Sequence, residues 1–243
     1  MLLKACLNGG LHRDDHPRCP LTPTEIAADA IAAVAAGAEA IHVHPRDRDG
    51  AETLDAEDVA TTIQALREMV DSFIGVSTGG WIVPDPAERL RAIEDWRLLP
   101  DFASINIHEE GAAALAEALL ERNVGVEAGI WTPDAARLLV ASGLAERCLR
   151  ILVEPMDPVT ADALTTVDAI VEVLDGVAPE VPRLLHGKDA TAWDMIAEAA
   201  RRGYDARIGL EDTVRLPDGK IASGNADLVR AALAHYRDTE LAV

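Results

Sequence analysis

Aromatic side chains are scarce in this chain: four tryptophans, two tyrosines and two phenylalanines among 243 residues. A core must therefore be filled mainly by Ala, Val, Leu and Ile. Cysteines are scarcer still. Cys6, Cys19 and Cys148 are odd in number and lack C-x-x-C spacing, which excludes a disulfide framework and fits a reducing, cytoplasmic setting. Basic residues are outnumbered, 22 Lys and Arg against 42 Asp and Glu, for a net charge of -20. That balance argues against a nucleic-acid partner, whose phosphates require a basic surface, and against an anionic membrane surface. No apolar run reaches the ~18 residues of a membrane span, and Met1–Cys6 turns polar too early for a secretion signal. A Rossmann G-x-G-x-x-G after the first apolar stretch is missing.

What the chain does have is alternation. Strand-like stretches occur at Leu2–Leu7, Ala40–His44, Phe73–Ser77, Phe102–Asn106, Val124–Ala128, Cys148–Val153, Arg183–His186 and Ala206–Ile208. Ala-rich amphipathic runs follow them, at Thr24–Ala36, Ala56–Val70, Pro84–Asp95, Ala112–Arg122, Pro133–Ser142, Ala161–Leu174, Thr191–Arg202 and Asn225–Tyr236. Local chemistry marks several boundaries. Thr22-Pro23-Thr24-Glu25 carries a capping hydroxyl, a proline at the first helical position and a glutamate three residues on. Thr132-Pro133 starts another helix the same way, and Gly37, Gly143 and Gly203 close helical runs. Eight βα units joined by short connections require parallel strands with helical crossovers. The expectation is one (β/α)8 TIM barrel over residues 1–243, with an open doubly wound sheet as the competitor. The longest loops are His12–Pro20, which could cover a site, and Val214–Gly224.

Polar clusters gather at the strand ends, the face on which barrel active sites form. His42 and His44 lie two apart, on the same side of a strand and about 6.6 Å apart along it, so both imidazoles can reach one metal ion. Core or surface histidines are the ordinary alternative. Glu211, after the eighth strand, can add a carboxylate, leaving a coordination position open as catalytic zinc requires; iron or manganese can use the same set. Asp212 points the other way from Glu211 and can serve as a base, with Arg207 four residues before Glu211 to orient it or to neutralise a substrate carboxylate. A plain salt bridge, or a helix-dipole partner, is the competing reading. Ser77-Thr78-Gly79-Gly80 offers hydroxyls and accessible backbone N–H groups, or simply a turn. Arg46 follows the histidine pair, Ser104 and Asn106 end the fourth strand, and Glu127 lies near the end of the fifth. Weaker candidates in strand-end loops are Trp81, His108, Glu154, His186 and Lys188.

Taken in order along the chain, Asn8-Gly9-Gly10, Leu21-Thr22-Pro23-Thr24-Glu25, His42-Val43-His44-Pro45-Arg46, Ser77-Thr78-Gly79-Gly80, Ser104-Ile105-Asn106, Gly125-Val126-Glu127, Arg207-Ile208-Gly209-Leu210-Glu211-Asp212 and Ser223-Gly224-Asn225-Ala226 resemble the β-keto acid cleavage enzymes. The resemblance implies a TIM barrel with one Zn2+ held by His42, His44 and Glu211. It also implies conversion of a β-keto acid plus acetyl-CoA to acetoacetate plus a new acyl-CoA. By position it implies Asp212 as base, Arg207 as its partner and Ser77 as an orienting hydroxyl. Thr78, Gly79, Gly80, Ser104, Asn106, Glu127 and Arg46 are then expected to bind substrate, in a symmetric homo-oligomer. Leu11 stands where the amino-substrate member of the family carries an acidic residue, so an ammonium tail would need Glu154 or Glu127 instead. A metal-dependent hydrolase or aldolase without CoA, and a non-catalytic binding barrel, are the alternatives.

Overall fold

The computed structural model describes residues 1–242. Eight parallel strands close into a barrel in sequence order: β1 Leu3–Cys6, β2 Ala40–Val43, β3 Phe73–Ser77, β4 Phe102–Asn106, β5 Gly125–Ile130, β6 Arg150–Val153, β7 Arg183–Leu185 and β8 Asp205–Ile208. Each is followed by its helix: α1 Pro23–Ala35, α2 Ala56–Arg67, α3 Pro86–Glu94, α4 Ala112–Glu121, α5 Pro133–Ser142, α6 Thr160–Asp175, α7 Ala192–Arg202 and α8 Asn225–Glu240. This is the (β/α)8 architecture expected from the alternation, and not an open sheet. The capping box at α1 forms as its sequence requires: Thr22 Oγ1 accepts from Glu25 N at 3.3 Å and Thr22 N donates to Glu25 Oε2 at 3.1 Å.

Strand side chains alternate between two environments. Leu3, Ala5, Ile41, Val43, Ile74, Val76, Ala103, Ile105, Val126, Ala128, Ile151 and Val153 join the helices in one buried apolar cluster. The intervening residues fill the barrel, and many are charged. Lys4 and Glu127 pair with both side chains fully buried. Arg150 Nη1 donates to Glu127 Oε1 at 2.8 Å, and Arg150 Nε lies 3.4 Å from Asp205 Oδ2. Lys4 also sits over the Phe102 ring, 5.5 Å from its centre. Two cations and two anions thus neutralise one another in the lower barrel, where an unpaired charge would cost several kcal/mol. The upper barrel is left to a cavity.

The His12–Pro20 segment does not close over that cavity. It packs sideways on the loop after β8, where His16, buried, approaches Ala222 O through Nε2 at 3.0 Å. Only Gly10 and Leu11, just before it, reach the cavity wall.

Candidate metal and acid-base site

Two buried asparagines set the relative height of the strand ends that carry the site. Asn8, after β1, accepts from His44 N and donates to His44 O, both at 2.9 Å, so the end of β2 is tied to that of β1. Asn225, at the start of α8, accepts from Leu210 N and donates to Leu7 O, both at 2.8 Å, tying the Glu211 turn to β1 from the other side. Gly9 lies between them with φ +51°, and a β-carbon there would come within 2.5 Å of the Glu211 side chain. Its lack of a side chain lets Glu211 lean across β1 toward β2.

The result is convergence on one carboxylate oxygen. His42 Nε2 lies 3.8 Å and His44 Nε2 3.5 Å from Glu211 Oε2. His42, His44 and Glu211 each offer a ligand atom, all within 4.8 Å of one another. A tetrahedral ion bound at 2.0–2.1 Å holds its ligand atoms about 3.3 Å apart, so small side-chain adjustments complete the shell. Glu211 Oε2 is buried with no hydrogen-bond partner, a costly state for a polar atom unless a ligand satisfies it. These residues fit a borderline divalent cation such as zinc.

The three groups differ in charge. Burial pushes the Glu211 carboxyl up, but Arg207 and the two imidazoles outweigh it and hold the group well below the usual carboxylate range. Burial drives His42 well below the ordinary imidazole value. Burial also opposes protonation of His44, yet Glu211 and Glu52 override it and raise His44 to about 9.

On the other side of Arg207 lies Asp212. Arg207 Nε and Nη2 donate to Asp212 Oδ1 at 3.1 and 2.6 Å, while Nη2 also reaches Glu211 Oε1 at 2.8 Å. Burial raises the Asp212 carboxyl despite the guanidinium, and ionised Glu211 adds to the rise. Asp212 Oδ2 is buried without a partner. A carboxylate with one oxygen clamped and the other free, its basicity raised, suits proton abstraction from carbon. His186 Nδ1 lies 3.5 Å from Asp212 Oδ1, and its Nε2 lies 3.5 Å from Glu154 Oε2. Both carboxylates and the candidate metal triad border one cavity of about 430 Å³ at the C-terminal mouth of the barrel, a size suited to a small-molecule ligand.

A family model described as beta-keto acid cleavage enzyme matches residues 1–243. The chain belongs to this family. Among curated relatives, a 3-keto-5-aminohexanoate cleavage enzyme of Fusobacterium nucleatum is 28% identical over 250 residues, covering 94% of this chain and 88% of the relative. A 3,5-dioxohexanoate:acetyl-CoA acetone transferase of Paraburkholderia graminis is 25% identical over 274 residues, covering 95% and 87%. Among solved structures, ObcA in a ternary complex with a C4-CoA adduct and oxalate superposes with a TM-score of 0.74 at 17% identity. The match covers 91% of this chain but 64% of ObcA, and at that identity it speaks for the fold alone.

In this β-keto acid cleavage enzyme, the remaining expected residues divide into two groups. Ser77, Gly79, Ser104 and Asn106 line the cavity together with Arg207, Glu211 and Asp212. Thr78, Gly80, Arg46 and Glu127 do not line it. Thr78 Oγ1 donates to Ser104 O at 2.8 Å, bracing β3 against β4. Gly80 N donates to Glu109 Oε2 at 2.8 Å, in a separate cleft. Arg46 is turned into the protein and donates to Gly9 O, to Leu11 O at 3.0 Å and to Gly50 O at 3.2 Å, bracing two loops. Glu127 departs furthest from its expected place. β5 runs on to Ile130, so Glu127 sits in mid-strand below the cavity, engaged by Lys4 and Arg150.

Of the weaker candidates, Trp81, Glu154, His186 and Lys188 reach the cavity, whereas His108 packs at a tilt against Trp131 with ring centres 4.4 Å apart. Three lining residues escaped the sequence reading: Glu52, Trp131 and Met156. Trp131 follows β5 directly and Met156 lies three residues past the end of β6, so their place just beyond a strand end is the signal that finds them. Glu52 is eight residues beyond His44, and its signal is subtler. Asp47 and Gly50 mark a turn that folds the chain back on itself.

Proposed function

We propose that this single barrel domain, residues 1–243, is a zinc-dependent acyltransferase. It would convert a β-keto acid and acetyl-CoA to acetoacetate and a new acyl-CoA. The carrying observation is that one cavity is bordered both by the convergent His42, His44 and Glu211 ligand atoms and by the free, buried Oδ2 of Asp212. Membership of the family supports the β-keto acid, and the acetyl-CoA named in the relative from P. graminis supports the co-substrate. Three free, buried thiols agree with a reducing compartment.

A bound zinc ion would supply Lewis acidity toward the ketone and carboxylate of a chelating β-keto acid. The chain's own residues do the rest. Asp212 Oδ2 takes the proton from C2, between ketone and carboxylate, while Arg207 keeps Oδ1 fixed. Ser77, Ser104 and Asn106 line the same cavity and can orient the substrate oxygens. C2 attacks the acetyl thioester carbonyl and CoA thiolate leaves. The thiolate then adds to the original C3 ketone, the C2–C3 bond breaks, and Asp212 returns its proton to C2 of the departing acetoacetate. All atoms balance without a redox partner.

Leu11, Trp131, Met156 and Glu154 also line the cavity and are left to receive the tail beyond C3. Because Glu127 is paired within the lower barrel, Glu154 is the remaining candidate for holding a cationic tail. A panel of β-keto acids with apolar and amino-substituted tails, each with acetyl-CoA, tests the proposal through joint formation of acetoacetate and the matching acyl-CoA. Turnover equal with and without acetyl-CoA would instead support a CoA-independent hydrolase or aldolase.

A further inference from the structure

We propose that Glu52 is a positioning residue that fixes the tautomer and ring angle of His44 for metal binding. The inference rests on the metal reading of His42, His44 and Glu211 and extends it to a residue outside that set. Glu52 Oε1 lies 2.5 Å from His44 Nδ1, and its side chain is 15% exposed. When Nδ1 carries the proton donated to Glu52, the lone pair of a neutral His44 is on Nε2, the nitrogen facing Glu211 Oε2 at 3.5 Å. A carboxylate behind a ligating imidazole also raises its basicity.

The backbone is built to deliver this carboxylate. Pro45 ends the strand, and the chain reverses so that Arg46 and Glu52 form an antiparallel bridge. Asp47 Oδ1 accepts from Asp49 N and Ala51 N at 2.8 and 2.9 Å, and Thr53 N donates to Pro45 O at 3.0 Å. This register sets Glu52 beside His44. Trp81 then holds it from the outside. Its Nε1 donates toward Glu52 Oε1 and Oε2 at 3.2 and 3.1 Å, while its ring stacks over His44 with centres 6.2 Å apart and planes at 22°. Gly79 makes that stack possible, since a β-carbon there would fall 2.3 Å from the indole. His42 has no such support, for its Nδ1 is without a partner. His44 is therefore the oriented ligand of the pair, and Glu52 with Trp81 orients it.

The test is zinc affinity by chelator competition on full-length wild type, Glu52→Ala, Glu52→Gln and His44→Ala. Thermal melts of the metal-free forms accompany it, as do 15N shifts of the metal-free His44 ring well above pH 9, where the imidazole is neutral. Glu52→Ala is expected to weaken zinc by about 10–100-fold and to give His44 the shifts of mixed tautomers. Glu52→Gln, whose amide oxygen still accepts from Nδ1, is expected to recover part of the affinity and the single tautomer. Wild-type affinity in Glu52→Ala would overturn the proposal while leaving the metal site standing. Equal losses in the Gln and Ala variants would also overturn it, since charge alone would then matter. Wild type that binds no zinc, or His44→Ala that binds it normally, would overturn the metal reading and this inference together.

Discussion

Loading the metal site should expel a proton, and the structure says from which residue. In the metal-free protein burial keeps His42 neutral, well below its ordinary value, and Arg207 with the imidazoles keeps Glu211 ionised. His44 alone carries a proton near neutrality, because Glu211 and Glu52 outweigh burial and raise it to about 9. A metal ion must displace the proton from Nε2. At pH 6.5 the apparent affinity is then roughly two to three orders of magnitude below its alkaline limit. It rises about tenfold between pH 6 and pH 7, with close to one proton released per ion. Calorimetric zinc titrations at pH 6.5, in buffers of different ionisation enthalpy, measure that proton directly. A binding enthalpy independent of buffer, together with an affinity flat from pH 6 to pH 7, would refute the charge assignment. Two protons per ion would mean that His42 or Glu211 is also protonated.

The same elevation makes metal-free stability pH-dependent. A folded value above the unfolded 6.5 gives stability that is present in full below pH 6.5 and lost as pH rises through about 9, so the metal-free melting temperature should fall over that interval, and a rise would contradict the sign. Glu127→Gln leaves Lys4 and Arg150 short of a partner in a fully buried site and should cost about 3–5 kcal/mol. That corresponds to a melting shift of about 6–20 °C for a chain this long, and a variant with wild-type melting but a raised KM would return Glu127 to substrate binding. Asn8→Ala removes the tie between β1 and His44; zinc affinity should fall together with stability, and a fall in stability alone would show that the His44 main chain holds its place unaided.

The barrel was legible because its determinants are local. Period-two apolar stretches, capping residues such as Thr22 and Thr132, and short connections all lie within a few residues of the elements they define. The candidate metal ligands could be grouped for a related reason: in a parallel barrel every strand end reaches the same mouth, so His42, His44 and Glu211 come together without tertiary information. Boundaries decided the errors. Ending the fifth strand at Ala128 put Glu127 near the rim, whereas two further residues of strand sink it into the ion network below. Arg46 faces inward because Gly9 O and Leu11 O, on a loop 35 residues or more away in sequence, take its N–H groups. Glu52 was hidden because its role depends on a chain reversal and on Trp81, 29 residues distant. Partnerships across loops leave no periodic trace.

The most direct measurement is turnover of Asp212→Asn beside wild type with acetyl-CoA labelled in its acetyl group. Wild type should place the label in the acetyl half of acetoacetate, C3 and C4. The variant should bind one zinc as wild type does and lose turnover by about 10²–10⁴-fold. Label-free acetoacetate from wild type, or undiminished turnover in a zinc-loaded Asp212→Asn protein, would contradict the proposed function.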